Sequence, residues 1–310
     1  MPFNCPDCSK TFNQEYNLDV HRKMVCDKIK VKEKLDKKHK TPLRYPGGKS
    51  KAIYKLQKHL PNMDKINEIH DCFLGGGSVP IYLTKLYPDK KIKVNDTYEP
   101  LYNFWVQLRD NGDDLSDELL KIKQENNTPD LARILFDAQK DAIKDSNIPD
   151  LERAVGFWIV NKCSFSGLAS SSFSEQASVS NFNVNGIESL KYYSKLIKNW
   201  EITNLDYQDF IKINSNKKEV FLYLDPPYMI KDNLYGEHGN LHKIFKHEDF
   251  FKICPPLKCQ QLISYNSNLM IKNAFKGYNI SDYELTYTMR STGTYMTDQK
   301  DRMELAIRNY

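Results

Sequence analysis

The sequence predicts an α/β fold with an open, mixed but mostly parallel sheet, a helical and hairpin insertion, and a small ββα module ahead of it. Three observations carry that expectation. A glycine-rich turn joins a short strand to a helix at 75–77, with a carboxylate at Asp96, near the end of the next strand. An uninterrupted apolar run at 220–224 has the composition of a central parallel strand and stops at Asp225-Pro226-Pro227-Tyr228. A cluster of cysteines and one histidine occupies the first 26 residues.

The chain has 310 residues, 40% hydrophobic and 27% charged, enough for one large domain and a small module. No apolar run approaches the roughly 18 residues that span a bilayer. The start, Met1-Pro2-Phe3-Asn4-Cys5, lacks the apolar core of a secretion signal, so an intracellular protein without membrane attachment is expected. Seven cysteines, an odd number in such a compartment, argue against a disulfide framework. The net charge of +5 leans toward an anionic partner. The lysine-rich run at 28–40 reads as a solvated linker that could also touch phosphates.

Cys5, Cys8, His21 and Cys26 have the ligand spacing of a ββα zinc finger, with cysteine as the last ligand. Phe12 and Leu18 take its two miniature-core positions. So short a segment buries too little surface to fold unaided, so a structural Zn²⁺ would have to supply the folding energy of residues 1–27. Gln14, Asn17 and Val20 would fall at the base-contacting helix positions. One finger covers only about three base pairs, so auxiliary DNA contact, protein contact and a capping role all stay open.

Past the linker, Pro46-Gly47-Gly48 is a turn, and Lys49 opens an amphipathic helix to about Leu60 with Ile53, Leu56 and Leu60 on one face. Residues 66–73 read as a strand entering Gly75-Gly76-Gly77, and the next helix carries Val79, Ile81, Leu83 and Leu86. A ligand can sit against such a helix start. Asp96 follows a strand at 92–95, 19 positions after Gly77 (96 − 77), where a carboxylate suits two ribose hydroxyls. These features describe a nucleoside-containing cofactor without separating a dinucleotide from S-adenosylmethionine. The loop is neither GxGxxG nor a Walker-type phosphate loop.

The Asp225-Pro226-Pro227-Tyr228 corner lies where an open α/β sheet binds ligands, stiffened by two prolines. Its chemistry suits an exocyclic adenine amine, whose lone pair is delocalised into the ring. A carboxylate (Asp225) and a backbone carbonyl (Pro226) can each accept one N6 hydrogen and favour a pyramidal nitrogen aimed at an activated methyl. Such a site works by positioning and electrostatics. Tyr228 would stack on a base taken out of its duplex.

These segments resemble the Dam-type (class D12, alpha-order) DNA adenine-N6 methyltransferases, from about Pro42 to Ile307. The resemblance implies a Rossmann-like methyltransferase domain over residues 41–310, S-adenosylmethionine as cofactor, and site-specific methylation of double-stranded DNA in the manner of restriction–modification enzymes. Leu43 to Lys49 looks like the family's N-terminal cofactor motif, implying contacts from Tyr45 and Lys49. Asp71 to Ser78 resembles the glycine-rich motif, implying Asp71, Phe73, Gly75 and Gly77, while Asp96 matches the ribose acid. In this family the aspartate equivalent to Asp225 also lies beside the cofactor. A recognition region is implied at roughly 110–215. Within it Asn161 to Leu168 looks like the start of a recognition hairpin, implying DNA contacts from Asn161, Phe165 and Leu168. Arg290 belongs to a segment resembling the last loop, and Glu304 to Ile307 resembles the last strand. Family members that read GATC carry arginine where this chain has Ser170, so that site is not implied. The finger is not part of the usual domain, and a monomer is assumed. The alternatives are methylation of RNA or another planar amine, or an idle DNA-binding relic. Enzymes acting on protein glutamine usually carry asparagine at the position of Asp225, and the intact set Lys49, Asp96, Asp225 and Tyr228 speaks against a relic.

Overall fold

The computed structural model describes residues 2–5, 10–13, 15, 18, 21, 39–214, 217–229, 245–284 and 303–310. At the N-terminus, β1 (Phe3–Asn4) and β2 (Thr11–Phe12) form an antiparallel hairpin with Phe3 opposite Phe12. The Cys5 amide donates to the Lys10 carbonyl at 2.8 Å across the turn. Cys5 and His21 are buried, and the His21 ring lies 4.8 Å from that of Phe12. Cys8 and Cys26, and with them the full expected zinc set, lie outside the described residues, as do Gln14, Asn17 and Val20. Among the described residues no group of three or more metal-ligating side chains converges.

The body of the protein is a seven-stranded sheet. Its strands are β3 (Glu68–Asp71), β4 (Lys91–Asn95), β5 (Glu201–Thr203), β6 (Val220–Leu224), β7 (Gln260–Asn266), β8 (Asn279–Glu284) and β9 (Met303–Arg308), in the spatial order β5-β4-β3-β6-β7-β9-β8. The pairs from β5 to β7 are parallel, and β9 runs antiparallel between β7 and β8. Every residue of β6 is buried, as a central parallel strand covered on both faces requires. Phe221 and Tyr223 join one apolar cluster, while Val220, Leu222 and Leu224 join the other, following the two-residue alternation of a strand.

The chain runs from β3 outward to β4 and β5, then returns to β6 and proceeds the other way. The β3–β6 junction is therefore the topological switch point, where the carboxyl ends of two neighbouring strands diverge and leave a crevice.

Helices cover both faces. The helix expected from Lys49 to about Leu60 is realised as a 3₁₀ turn at Lys49–Lys51, α1 (Ile53–Leu56) and a second 3₁₀ turn at Gln57–His59. Ile53 and Leu56 are still buried and Leu60 packs on the core. Extended backbone at Leu60, as the following Pro61 demands, ends the segment. The strand expected over 66–73 is confined to β3, because Cys72 and Phe73 already turn into the glycine loop. α2 (Ser78–Leu86) follows that loop.

The insertion is a helical block: α3 (Glu99–Asp110), α4 (Gly112–Glu125), α5 (Pro129–Ala142), α6 (Asp150–Cys163), α7 (Glu175–Asn181) and α8 (Val184–Leu196). α6 sits at its centre with Ala154 to Cys163 entirely buried. β5 then returns the chain to the sheet, so the sheet body resumes before residue 215. α9 (Tyr207–Asn214), α10 (His247–Ile253) and α11 (Leu269–Ala274) complete the layers. At the near end of the expected linker, the buried His39 ring donates from Nε2 to the Ser78 carbonyl at 2.7 Å, and Tyr193 donates to the Lys40 carbonyl at 2.9 Å. Residues 39 and 40 are thus docked onto the body. Among the described residues no helix is long and apolar enough to cross a membrane.

Candidate active site

β3 and β6 are in register with Asp71 beside Tyr223, so Asp71 and Asp225 emerge at the same end of adjacent strands. A cleft of about 250 Å³ opens there. Its lining brings together Tyr45, Lys49, Asp71, Phe73, Gly75, Asp96 and Asp225, residues separated by up to 180 positions in the chain (225 − 45).

The glycine loop is held from below. Leu74 donates its amide to the Asn95 carbonyl at 2.8 Å, fastening the loop to the end of β4. Gly75 (φ 49°) donates to Asp96 Oδ2 at 2.9 Å, and its carbonyl accepts the Trp105 indole N–H at 3.0 Å. A Cβ on Gly75 would come within 2.9 Å of the Tyr45 ring. Tyr45 and the loop therefore approach as closely as glycine allows. Gly77 (φ 70°) has a different task and does not line the cleft. It starts α2 in a left-handed conformation, and a Cβ there would meet the Trp105 ring at 2.7 Å.

Asp96 Oδ1 accepts the Tyr98 amide at 3.0 Å while Oδ2 accepts that of Gly75, which fixes the carboxylate and leaves further lone pairs toward the cleft. Burial raises its pKa to about 6 in spite of those two amides, so it is largely ionised at neutral pH.

Lys49 is only 2% exposed. Its ammonium donates to Asp225 Oδ1 at 2.9 Å, to Oδ2 at 2.7 Å and to the Gly47 carbonyl at 2.8 Å, and stands 4.9 Å from the centre of the Tyr228 ring. Burial alone would lower its pKa, but Asp225, Glu304 and Asp71 together leave it above the ordinary lysine value. Burial likewise pushes Asp225 up to about 6, with Glu304 adding to the rise, although Lys49 and the Tyr228 hydroxyl pull it down. Asp71, deeper still and facing Asp225 and Asp96, lies well above the usual carboxylate range, chiefly through desolvation. The site thus keeps Lys49 charged, Asp225 and Asp96 ionised at neutral pH, and Asp71 inclined to hold a proton.

Pro226 and Tyr228 are both buried. The Tyr228 ring stacks on Tyr265 at 5.7 Å and 20°, and it is not part of the cleft lining in this state, where Pro227 is.

Where a recognition hairpin is expected the chain does form a hairpin: Ser164 bridges Phe173, and the Phe165 amide donates to the Ser172 carbonyl at 2.9 Å. Phe165 projects, 57% exposed, and Leu168 is half-buried. Asn161 is placed otherwise than a DNA-contacting residue: it is 1% exposed. Its amide nitrogen donates to the carbonyls of Arg44 and Gly167 at 2.7 and 2.6 Å, and its oxygen accepts the Arg44 amide at 3.0 Å. It shapes the hairpin base instead of facing outward. Arg290 lies outside the described residues.

Several lining residues escape sequence reasoning. Asp206, Tyr207 and Phe245 border the cleft, with Phe73, Tyr207 and Phe245 forming an aromatic wall whose rings are 5.1–5.9 Å apart. Tyr207 opens an ordinary helix and Phe245 lies just before another, neither within a recognisable motif, so neither carries a local signal. The usable clue is Asn95. Its side chain bonds both the amide and the carbonyl of Leu205 at 2.9 and 3.0 Å, tying the end of β4 to the loop before Tyr207.

An apolar aromatic wall, a glycine-loop floor and an oriented acid at a strand end fit a nucleoside. Asp96→Ala is expected to weaken binding of S-adenosylmethionine about 10-fold to 100-fold, since one charge-assisted hydrogen bond contributes about 1.5–3 kcal/mol. Calorimetric titration checks this, and affinity equal to that of the unaltered protein would refute the ribose role.

Comparison with known proteins agrees with this geometry. The model of the D12 class N6 adenine-specific DNA methyltransferase family matches residues 45–289. The Type II methyltransferase M.MjaIII of Methanocaldococcus jannaschii is 28% identical over 290 residues, covering 86% of this chain and 98% of the relative. The Type II methyltransferase M1.LlaDCHI of Lactococcus lactis subsp. cremoris is 25% identical over 279 residues, covering 86% and 94%.

Proposed function

The chain belongs to the D12 class of N6 adenine-specific DNA methyltransferases, and on that premise we propose that it transfers a methyl group from S-adenosylmethionine directly to N6 of an adenine extruded from double-stranded DNA. The observation that carries this reading is the cleft at the switch point, lined by the glycine loop and Asp96 and also by Asp225.

S-adenosylmethionine supplies, when bound, a methyl group already activated on a sulfonium sulfur. The protein's own part is to bind, orient and exclude water. Asp96 would hold ribose hydroxyls, and Tyr45, Phe73, Tyr207 and Phe245, which line the same cleft, would pack on the cofactor. Asp225 and the Pro226 carbonyl accept the two N6 hydrogens of the target adenine. Asp225 must then release at least one of the two oxygens now bonded to Lys49. The target base enters at the proline corner, with Tyr228 turning from Tyr265 to meet it and the Phe165 hairpin against the duplex. Extrusion of the base is required because the duplex buries N6 in the stack. Site-specific methylation of this kind matches the Type II methyltransferases to which the chain is similar.

The test is transfer of labelled methyl from S-adenosylmethionine to double-stranded DNA, single-stranded DNA and RNA in parallel, with the product base identified. N6-methyladenine formed in duplex DNA bears the proposal out; label in RNA alone overturns it.

The N-terminal segment is proposed as a zinc finger held by Cys5, Cys8, His21 and Cys26 that adds DNA contacts. The β1–β2 hairpin and the buried Cys5 and His21 support that reading. The full-length protein is expected to contain one equivalent of zinc by elemental analysis. Removing residues 1–38 should weaken DNA binding and flatten its dependence on salt, because lysine–phosphate contacts are lost. A protein without zinc, or an unchanged salt slope, would count against the finger and its DNA role respectively.

A further inference from the structure

β6 and β7 pair in parallel up to Leu224 and Ile263, but the ladder cannot follow the chain into the corner, because Pro226 and Pro227 have no amide to donate. β7 itself runs on past Ile263 to Asn266. There a side chain does what the backbone cannot. Asn266 Oδ1 accepts the Met229 amide at 3.1 Å, and Asn266 Nδ2 donates to the Met229 carbonyl at 3.2 Å. The residue that follows the proline corner is thus fastened to β7 through both its N–H and its C=O, as a residue paired in a ladder would be.

Asn266 has a firm footing of its own. Its backbone lies opposite Glu304 in the β7–β9 ladder, and the next amide, that of Ser267, donates to the Met303 carbonyl at 3.0 Å. The preceding Tyr265 is fully buried and stacks on Tyr228. Two consecutive residues at the end of β7 therefore meet the corner, Tyr265 against the Tyr228 ring and Asn266 on the Met229 backbone. Groups carried on a strand are held more precisely than groups carried on a loop.

This arrangement answers a geometric need of the reaction. The two prolines fix φ at 226 and 227 and confine Asp225 and Pro226 to extended backbone, a region still about 40° wide in ψ. A corner held at its β6 end alone could swing the Pro226 carbonyl through that range. Fixing Met229 removes the swing, while the Tyr228 side chain stays free to turn about its own Cα–Cβ bond.

We propose that Asn266 is a positioning residue for methyl transfer: by clamping the Met229 backbone it holds the far end of the proline corner, so that Asp225 and the Pro226 carbonyl keep the spacing that the two N6 hydrogens of adenine require. The proposal rests on the role assigned to the corner above. Asn266 makes and breaks no covalent bond and is not part of the cleft lining.

The experiment compares the full-length protein with Asn266→Ala and Asn266→Leu, with duplex DNA as acceptor. Alanine removes both bonds; leucine removes them while keeping the number and branching of the side-chain atoms. kcat and kcat/KM for DNA are measured, with thermal melting as a control on folding. Calorimetric titration with S-adenosylmethionine gives the affinity and the number of competent sites. Both variants are expected to lose about 10-fold to 100-fold in kcat, as displacement of a reacting group by about 1 Å does. kcat/KM should fall in equal measure, as when an interaction made only in the transition state is lost. Cofactor affinity and site number should match those of the unaltered protein. A near-normal kcat for Asn266→Leu beside a slow Asn266→Ala means a packing role and overturns the proposal. An unchanged rate in both, a rise in KM alone, or a rate that falls only in proportion to the number of competent sites overturns it as well. If Asn266→Ala fails to fold, Asn266→Leu decides by the same criteria; if neither folds, Asn266 serves the fold and the proposal fails. If the unaltered protein methylates no DNA, the functional reading fails with it. If it methylates DNA and both variants match it, only the Asn266 proposal fails.

Discussion

Asp225→Asn is expected to reduce methyl transfer to adenine about 10²–10³-fold, the loss typical of removing one preorganised hydrogen-bonding group at a reacting centre. The substitution keeps the shape of the corner but replaces one acceptor oxygen with an NH₂ donor and removes the charge. An amide donor pointed at the adenine amine repels the hydrogens it should accept. A second cost falls on stability. Lys49 is bonded to both Asp225 oxygens and is almost wholly buried. Breaking a buried ion pair from one side costs about 3–5 kcal/mol, and the low end applies because the Gly47 carbonyl still accepts from the ammonium. A loss near 3 kcal/mol lowers the melting temperature by several degrees, less than the roughly 6–12 °C it would cost a chain of 150–250 residues. Methyl-transfer assays and thermal melts of the same preparation separate the two effects, since S-adenosylmethionine should still bind through Asp96 and the glycine loop. Retained transfer would remove Asp225 from the mechanism.

The unaltered enzyme should also lose activity as pH falls through about 6, where Asp225 takes up a proton. The sign follows from the charge: the neutral acid cannot hold Lys49 as an ion pair, and its remaining acceptor oxygen is weaker than that of the carboxylate toward the N6 hydrogen. In Asp225→Asn the loss that persists near pH 6 should be the part that Asp96, raised to the same range, contributes through cofactor binding, and it should disappear at saturating S-adenosylmethionine.

How much of this was legible in the sequence depends on the range of the interaction. β6, the glycine loop and the acid after β4 are local patterns, and they form the core of the cleft as the motifs predict. Lys49 was recognisable as a site residue through resemblance, but its bonds to Asp225 join positions 176 apart, and no periodicity reports such a pairing. The aromatic wall fails to show for the same reason, because Phe73, Tyr207 and Phe245 meet only once β3 and the starts of α9 and α10 are packed. Asn161 shows the opposite limit. Its motif marks a recognition hairpin, yet the side chain is consumed by the backbones of Arg44 and Gly167. A motif position can be specified by the shape it builds and not by the ligand it touches. The broken helix after Lys49 belongs to the same category. The 3.6-residue period places Ile53 and Leu56 inward, but it does not register that the first turn must also deliver Lys49 to Asp225.

Gly77→Ala is expected to damage both folding and cofactor binding, although Gly77 touches neither the cleft nor the proposed substrate. Its φ of 70° lies in the left-handed region, which costs an alanine about 1–2 kcal/mol. The added Cβ would stand 2.7 Å from the Trp105 ring, and overpacking of this kind typically costs about 1–3 kcal/mol more. Trp105 cannot yield without consequence. It is fully buried, packs against Trp200 at 5.8 Å, and its indole N–H holds the Gly75 carbonyl. Gly75 in turn donates to Asp96, so a shift of the indole passes through one residue to the carboxylate proposed to orient ribose. The variant should therefore melt several degrees lower and bind S-adenosylmethionine more weakly, with weaker binding persisting at temperatures where it is fully folded. Trp105→Phe separates the two contributions: it relieves no left-handed strain but removes the bond to Gly75, so it should weaken cofactor binding by itself. Normal cofactor affinity in both folded variants would mean that the floor beneath the glycine loop bears on stability alone.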